Sequence, residues 1–253
     1  MALADLIYKT AVPSKTLSPY VESFWMLSNP TDETKEVIVL PDGRVDVFFS
    51  YSLEETFNCS LAGLGSEPSQ GTIAPQSVMF AVSFKLLAVE YLLNTSIAPY
   101  ANLVDQLPED FWNIKPADLN DFGVFSDKLS AKLESLLVHQ EIDPRKQKLF
   151  ELIYATQGAM SVHELADTVG WSSRQINRYF NQWFGLSLKT YCNILRYRAS
   201  FTEIKEGKLF SAQNFADQAH FIKDVKKFSG VTPKELSKNK NDRFIQFSTL
   251  PKK

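Results

Sequence analysis

The stretch Ile176-Asn-Arg-Tyr-Phe-Asn-Gln-Trp-Phe-Gly-Leu-Ser-Leu-Lys189 recurs 45 positions later as Phe221-Ile-Lys-Asp-Val-Lys-Lys-Phe-Ser-Gly-Val-Thr-Pro-Lys234. Ile176 corresponds to Phe221, Arg178 to Lys223, Phe180 to Val225, Trp183 to Phe228, Gly185 to Gly230, Ser187 to Thr232 and Lys189 to Lys234. Each copy has an apolar stripe at helical spacing, a glycine that stops the helix and a hydroxyl residue that caps the next one. A repeat of this kind predicts two equivalent helical reading elements in one chain.

Upstream of the first copy, Ser161-Val-His-Glu164 is a capping box, followed by Val162, Leu165, Ala166 and Val169 at helical spacing. Gly170 ends that helix, and Ser172-Ser-Arg-Gln175 is a second capping box opening the next. A short helix, a glycine turn and a second helix form a helix-turn-helix unit. At 100° steps, Ile176, Tyr179, Phe180 and Trp183 fall within an arc of about 100°. Arg174, Gln175, Asn177, Arg178, Asn181 and Gln182 lie opposite, and no acid occurs from Ser172 to Cys192. Arginine pairs bidentately with guanine, and Asn or Gln with adenine, so this face suits the major groove of double-stranded DNA. Arg174 and Arg178 are the expected base readers, and Lys189 and Lys234 are expected to touch the phosphate backbone.

Between the copies, Leu188 to about Glu206 reads as one long helix ended by Gly207, with Leu188, Tyr191, Cys192, Leu195, Ala199 and Thr202 inward. Such a rod would set the two reading helices apart, and successive major grooves on one face require about 34 Å. In the second copy, Thr232-Pro-Lys-Glu235 is again a capping box. Its outer face holds Ala219, His220, Ile222, Lys223, Lys226 and Lys227, richer in phosphate-type contacts than in base readers. His220 has two readings of equal weight, a DNA donor or a packed, helix-capping residue.

The chain has 253 residues and a formal net charge of −2, which hides a division. From residue 145 onward there are 19 Lys+Arg against 9 Asp+Glu; the first 144 residues hold 8 against 20. A basic half is a candidate for a polyanion, and the acidic half is expected to compete with DNA for the basic surface. Two cysteines, Cys59 and Cys192, are too few for a disulfide framework, and the three histidines are scattered. Neither a metal nor a cofactor is expected. The opening residues lack a basic segment and a long apolar core, and no run suits a membrane span, so a reduced, cytoplasmic setting is the expectation.

The acidic half reads as strand at first. Val37 to Leu40, the turn Pro41-Asp42-Gly43 and Val45 to Phe49 predict a hairpin, and Ser77 to Phe84 predict a further strand. Leu129, Leu133, Leu136 and Leu137 then mark an amphipathic helix, and Asp143-Pro144 starts another that carries Leu149, Leu152, Ile153 and Thr156 inward. Phe24, Trp25, Phe48, Phe49, Phe80, Phe84 and Tyr91 are expected to form a solid core in preference to a ligand pocket. The fold class is therefore α+β in two domains: residues 1–142, β-rich, closed by a helix and serving sensing or assembly; and residues 143–253, all-α, with two helix-turn-helix units.

Ala166-x3-Gly170-x-Ser172, then Arg178-x-Phe180 and Gly185-x-Ser187, with Asp217-Gln-Ala-His-Phe221 and Lys227-Phe-Ser-Gly-Val-Thr-Pro233 downstream, resemble the DNA-binding domain of the AraC/XylS family of bacterial transcription regulators. The resemblance covers about residues 144 to 237, with both half-motifs in order. It implies two helix-turn-helix units on a joining helix that bind DNA as one module beside a promoter, often with contact to RNA polymerase. Tyr20-Val-Glu-Ser-Phe-Trp25, Leu40-Pro-Asp-Gly43 and Asp46-Val-Phe-Phe49 are similar, over a shorter span, to an uncharacterised N-terminal domain of some of these regulators.

One departure stands out. Only Lys208 to Phe215 separates Gly207 from the Asp217 motif, too few residues for the family's full first helix in the second unit. Leu209, Phe210 and Phe215 are expected to fill its packing space, with the first unit supplying specificity and the second mostly affinity.

The resulting expectation is a non-enzymatic, sequence-specific DNA-binding regulator whose N-terminal domain answers to a small-molecule effector or a protein partner. A homodimer through the Leu129–Leu137 stretch stays open, with packing onto its own domain preferred. The alternatives are an interaction protein whose second unit has degenerated, and an alkyl-accepting DNA-repair enzyme, which would need an activated cysteine.

Overall fold

The computed structural model describes residues 5–53, 55–208, 217–240 and 243–249. Eight strands come first: β1 (Ile7–Ala11), β2 (Val21–Asn29), β3 (Lys35–Val39), β4 (Val45–Tyr51), β5 (Asn58–Ala62), β6 (Ser69–Ile73), β7 (Ser77–Phe84) and β8 (Val104–Leu107). Helix α1 (Phe122–Leu137) follows, and the described residues beyond it hold further helices: α2 (Pro144–Ala155), α3 (Val162–Val169), α4 (Ser173–Phe184), α5 (Leu188–Ala199), α6 (Phe201–Lys205), α7 (Gln218–Ser229), α8 (Pro233–Lys238) and α9 (Ile245–Thr249). This is the expected α+β arrangement, a β-rich part followed by an all-helical one.

Six strands form one antiparallel sheet in the order β1-β2-β7-β4-β5-β8, and β3 pairs with β6 in a separate two-stranded sheet. Strand alternation divides the large sheet into two faces. Phe24, Val82, Val47 and Leu61 stand in one cross-strand row on the inner face, all buried, and α1 closes over that face with Phe125 edge-on to Phe49 and Phe80. Phe24, Phe49, Phe80, Phe84 and Tyr91 belong to this core, as expected, whereas Trp25 and Phe48 lie half-buried on the opposite face.

The predicted hairpin does not form. Its two strands exist, but β3 takes β6 as partner and β4 lies between β5 and β7. Pro41-Asp42-Gly43 is instead a corner that carries the chain from the small sheet to the large one. Packing holds that corner: Leu40 is buried among Ile194, Tyr197 and Phe244, and Gly43, at φ +77°, presses on α5. A side chain at Gly43 would place its Cβ 3.0 Å from Leu195 and 3.2 Å from Tyr191.

The helical part is not packed as a separate body. The largest hydrophobic core runs from Leu17 to Leu195 without a break at residue 143, joining the inner face of the sheet to α1 through α5. Leu149, Phe150 and Ile153 are the buried residues of α2; Phe150, absent from the expected inward set, contacts Phe180 and Phe184.

The joining rod departs from expectation in two ways. It is interrupted at Ser200, whose N–H and hydroxyl both donate to the Tyr197 carbonyl, so α5 ends at Ala199 and α6 begins at Phe201. It also buries two faces. Leu188, Tyr191, Cys192 and Leu195 face the main core, while Ile194, Tyr197, Phe201 and Ile204 face a second core built with Phe221, Val225, Phe228 and Leu236. With burial spread over two sides, Ala199 is only half-buried and Thr202 is exposed. At the far end, the Ile38 N–H donates to the Arg243 carbonyl, and Gln246 exchanges two hydrogen bonds with the Leu40 backbone, tying α9 to β3.

Candidate nucleic-acid interface

Both capping boxes expected before and after the Gly170 turn are formed. The Ser161 hydroxyl accepts the Glu164 N–H at 3.2 Å and the Glu164 carboxylate accepts the Ser161 N–H at 2.8 Å, which holds that carboxyl below its ordinary range. Ser172 and Gln175 repeat the arrangement at 3.2 and 2.8 Å. Gly170, at φ +69°, makes the turn between α3 and α4 with nothing within 4 Å of where a Cβ would sit. Its left-handed backbone, with no packing demand, is the reason for glycine there.

On the underside of α4, Ile176, Tyr179, Phe180 and Phe184 are buried. Trp183, expected in that stripe, is half-buried, because Phe184 one position further turns into the core against Phe150 and Phe180. On the outer face Arg174, Gln175, Arg178, Asn181 and Gln182 are exposed and Asn177 is half-buried. Two of these six are engaged at home. Gln175 spends its side-chain oxygen on the capping box, and the Asn177 amide donates to the Ser173 carbonyl at 3.0 Å. Among the described residues, no side-chain hydrogen bond within the protein is made by Arg174, Arg178, Asn181 or Gln182.

The second copy follows the first. Asp217 caps α7 by accepting the His220 N–H at 2.7 Å, and Gly230 ends it at φ +74°, as Gly185 ends α4 at φ +72°. Thr232 and Glu235 then cap α8, as Ser187 caps α5. Phe221, Val225 and Phe228 are buried; Ala219, Lys223, Lys226 and Lys227 are exposed; His220 and Ile222 are half-buried. Lys227 lies over the Phe228 ring at 5.0 Å. Lys189 and Lys234 occupy equivalent exposed places in the first turns of α5 and α8. Asp224 departs from the pattern: it is a buried acid where the first copy has Tyr179, and its Oδ2 lies 3.5 Å from His220 Nε2. This places His220 against its own helix. Leu209, Phe210 and Phe215, expected to fill the place of the short first helix, lie outside the described residues.

The acidic half does not cover these outer faces. It holds the first unit from beneath and at its end, since the side chains it reaches lie on the buried side of α4. Tyr179 donates its hydroxyl to Glu90 at 2.9 Å, and Glu90 also pairs with Lys146 of α2. The last carbonyls of α4 accept from the segment after β7: Ile97 N–H to Trp183 at 2.9 Å, and the Ser96 hydroxyl to Gln182 at 2.8 Å. At α5 a hydrogen-bonded relay runs from the Leu86 N–H to the Tyr154 hydroxyl, from there to Tyr191, and from Tyr191 to the Gly43 carbonyl at 3.0 Å. Beside it Arg198 pairs with Glu22, and Arg44 pairs with Asp42. Burial pushes the Glu22 carboxyl up, but Arg198, through its charge and its hydrogen bond, together with the charges of Arg44 and Lys85 more than offsets this and leaves it below the ordinary range.

Next to the outer face of α4 lies an open hollow of about 260 Å³ walled by Arg145, Trp171, Gln175, Arg178, Tyr179 and Gln182. Arg145, from the first turn of α2, has its guanidinium carbon 5.5 Å over the centre of the Trp171 ring. Nothing in the sequence marks Arg145, because its connection to α4 exists only in the fold. Both cysteines are buried, and burial pushes each thiol up to about 12, which leaves little thiolate for an alkyl-accepting reaction. Among the described residues, no group of three or more His, Cys, Asp or Glu is placed to hold a metal ion, and no helix is long and apolar enough to cross a membrane.

A family model described as a domain of unknown function, DUF6597, matches residues 9–106, from within β1 to within β8. No curated protein matches the sequence. Among solved structures the chain is similar to ToxT from Vibrio cholerae, at 13% identity and a TM-score of 0.47, covering 90% of this chain and 97% of that one. It is similar also to ToxT bound to (E)-4-(8-methylnaphthalen-1-yl)but-3-enoic acid, at 13% identity and 0.46, covering 83% and 97%. A third, unsaturated fatty acid bound ToxT, gives 11% identity and 0.42, covering 94% and 96%.

Proposed function

We propose that the chain is a sequence-specific DNA-binding regulator of transcription, of the AraC/XylS type that its motifs resemble. Residues 143–253 contact double-stranded DNA, and residues 1–142 act as the sensing or assembly part. The observation that carries this reading is the outer face of α4. It is a solvent-facing, acid-free surface with Arg174, Arg178, Asn181 and Gln182 unengaged, on a helix whose underside is fixed by four buried residues. A helix so anchored brings a pre-ordered backbone to a groove, so that only side-chain freedom is lost on contact, and arginine with amide side chains matches the donor and acceptor pattern of base edges. The lysines of α7 supply charge at a second point, chiefly toward phosphates.

The experiment is a binding titration of the full chain against fragments of its own genome over a range of salt. Specific binding that weakens steeply with salt, and is abolished by Arg174→Ala combined with Arg178→Ala, is the expected result. Salt-insensitive or undetectable binding overturns it. An effector at residues 1–142, contact with RNA polymerase and a homodimer are parts of the same proposal. An effector acts here by preferring one of two arrangements of the β-rich part against α4 and α5.

A further inference from the structure

We propose that Arg145, which lies over Trp171, is a phosphate clamp that extends the DNA contact of α4 onto the start of α2; this rests on the DNA-binding reading above. Three observations converge on it. Arg145 and Arg178 come from different helices, yet they wall the same open hollow, and no acid lines it. The Arg145 guanidinium is engaged along one edge: its Nε and Nη2 donate to Asp143 at 3.2 and 3.0 Å, and its Cζ lies 5.5 Å from the centre of the Trp171 ring. A guanidinium paired along one edge keeps Nη1 for an anion, and the Arg145 side chain, 57% exposed, is open to one. Gln175 adds a third group, since its oxygen is turned back to the Ser172 cap and its amide N–H₂ is the part left for an outside acceptor.

Two acids lie nearby, and both are occupied. Asp143 is bound to Arg145 itself, and Glu90 is shared by Lys146 and the Tyr179 hydroxyl. The hollow is therefore a cationic recess beside the groove-facing surface of α4. A major groove is bordered by phosphates, which makes a backbone phosphate the fitting occupant. Arg145 is assigned a sequence-independent role, in contrast to Arg174 and Arg178.

The test compares full-length wild type, Arg145→Gln and Arg145→Lys by fluorescence anisotropy, using a genomic fragment that binds specifically and a mixed-sequence duplex, over a range of salt. A phosphate contact adds about 0.9 to the slope of log affinity against log salt. Arg145→Gln is expected to reduce that slope by about one and to weaken both duplexes by the same several-fold factor. Arg145→Lys is expected to restore the slope. Thermal melts of each variant show whether α2 is intact, and a lowered melting temperature with an unchanged slope makes Arg145 structural and overturns the clamp. Wild-type binding with identical slopes in all three proteins overturns the clamp alone. Failure of wild type to bind either duplex at low salt overturns the DNA-binding reading and the clamp with it.

Discussion

Tyr179 of α4 donates its hydroxyl to the carboxylate of Glu90, 89 positions earlier in the chain, at 2.9 Å. The same carboxylate pairs with Lys146 of α2, so one acid of the β-rich part fixes both α4 and α2. Hydrogen bonds to charged groups contribute about 1.5–3 kcal/mol each when partly shielded from water. Tyr179→Phe should therefore lower the unfolding free energy by about 1–2 kcal/mol. A double-mutant cycle with Glu90→Gln, read by urea denaturation, should give a coupling energy well above the scatter expected for separate sites.

The pair Glu22–Arg198 joins β2 to α5, and its effect depends on pH. Glu22 has a folded-state pKa below its unfolded value, so its contribution is complete above the ordinary carboxylate range and disappears as the pH falls through the depressed value. Wild type should lose stability on acidification below about pH 4.3, and Glu22→Gln should lose measurably less over the same interval. Thermal melts at stepped pH values are the measurement. Equal losses in the two proteins would remove Glu22 from the account.

Two glycines at helix ends have opposite sensitivity to the same change. Gly170 and Gly158 both have positive φ, but Gly170 faces open space, whereas a Cβ on Gly158 would come within 2.5 Å of the Cys192 carbonyl oxygen. Gly170→Ala should cost about 1–2 kcal/mol from left-handed strain alone. Gly158→Ala should cost clearly more, because the α2–α3 turn must also back away from α5. The difference in denaturation midpoint between the two variants decides it.

Arg178 and Lys223 hold equivalent places in the two copies but should behave differently. Arg178→Ala should weaken the preferred sequence by about 1–3 kcal/mol and relax preference at one base position. Lys223→Ala should weaken all sequences alike and lessen the salt dependence by about one unit of slope. Selection of bound sequences from a random pool, run for each variant, separates these outcomes.

Features written locally were legible in the sequence. The capping boxes at Ser161, Ser172 and Thr232 and the stops at Gly170, Gly185 and Gly230 need only neighbouring residues, and all of them form. Correspondence of the two copies was legible for the same reason. The corner at Pro41–Gly43 was not, because a turn tripeptide between two strands has the same local chemistry whether the strands pair or part. What decides is Leu195 and Tyr191 pressing on Gly43, some 150 positions away. The rod is not legible as a single stripe because a helix serving two cores has none. Nothing near Glu90, Ser96 or Arg145 in sequence marks them; their relation to α4 is made by the fold.

The tie between Gln246 and Leu40 has a mechanical consequence for the second copy. That copy is held at one end by α5 and α6 and at the other by α9 stitched to the small sheet, and the small sheet is joined through the Gly43 corner to α5 again. Among the described residues these contacts thus form a closed circuit. In a closed circuit one member cannot swing out alone; any displacement is shared around the loop as a small shear of packed surfaces. A signal that shifts the β-rich part would accordingly reach α4 and α7 together, altering their relative phase and leaving each helix itself unchanged.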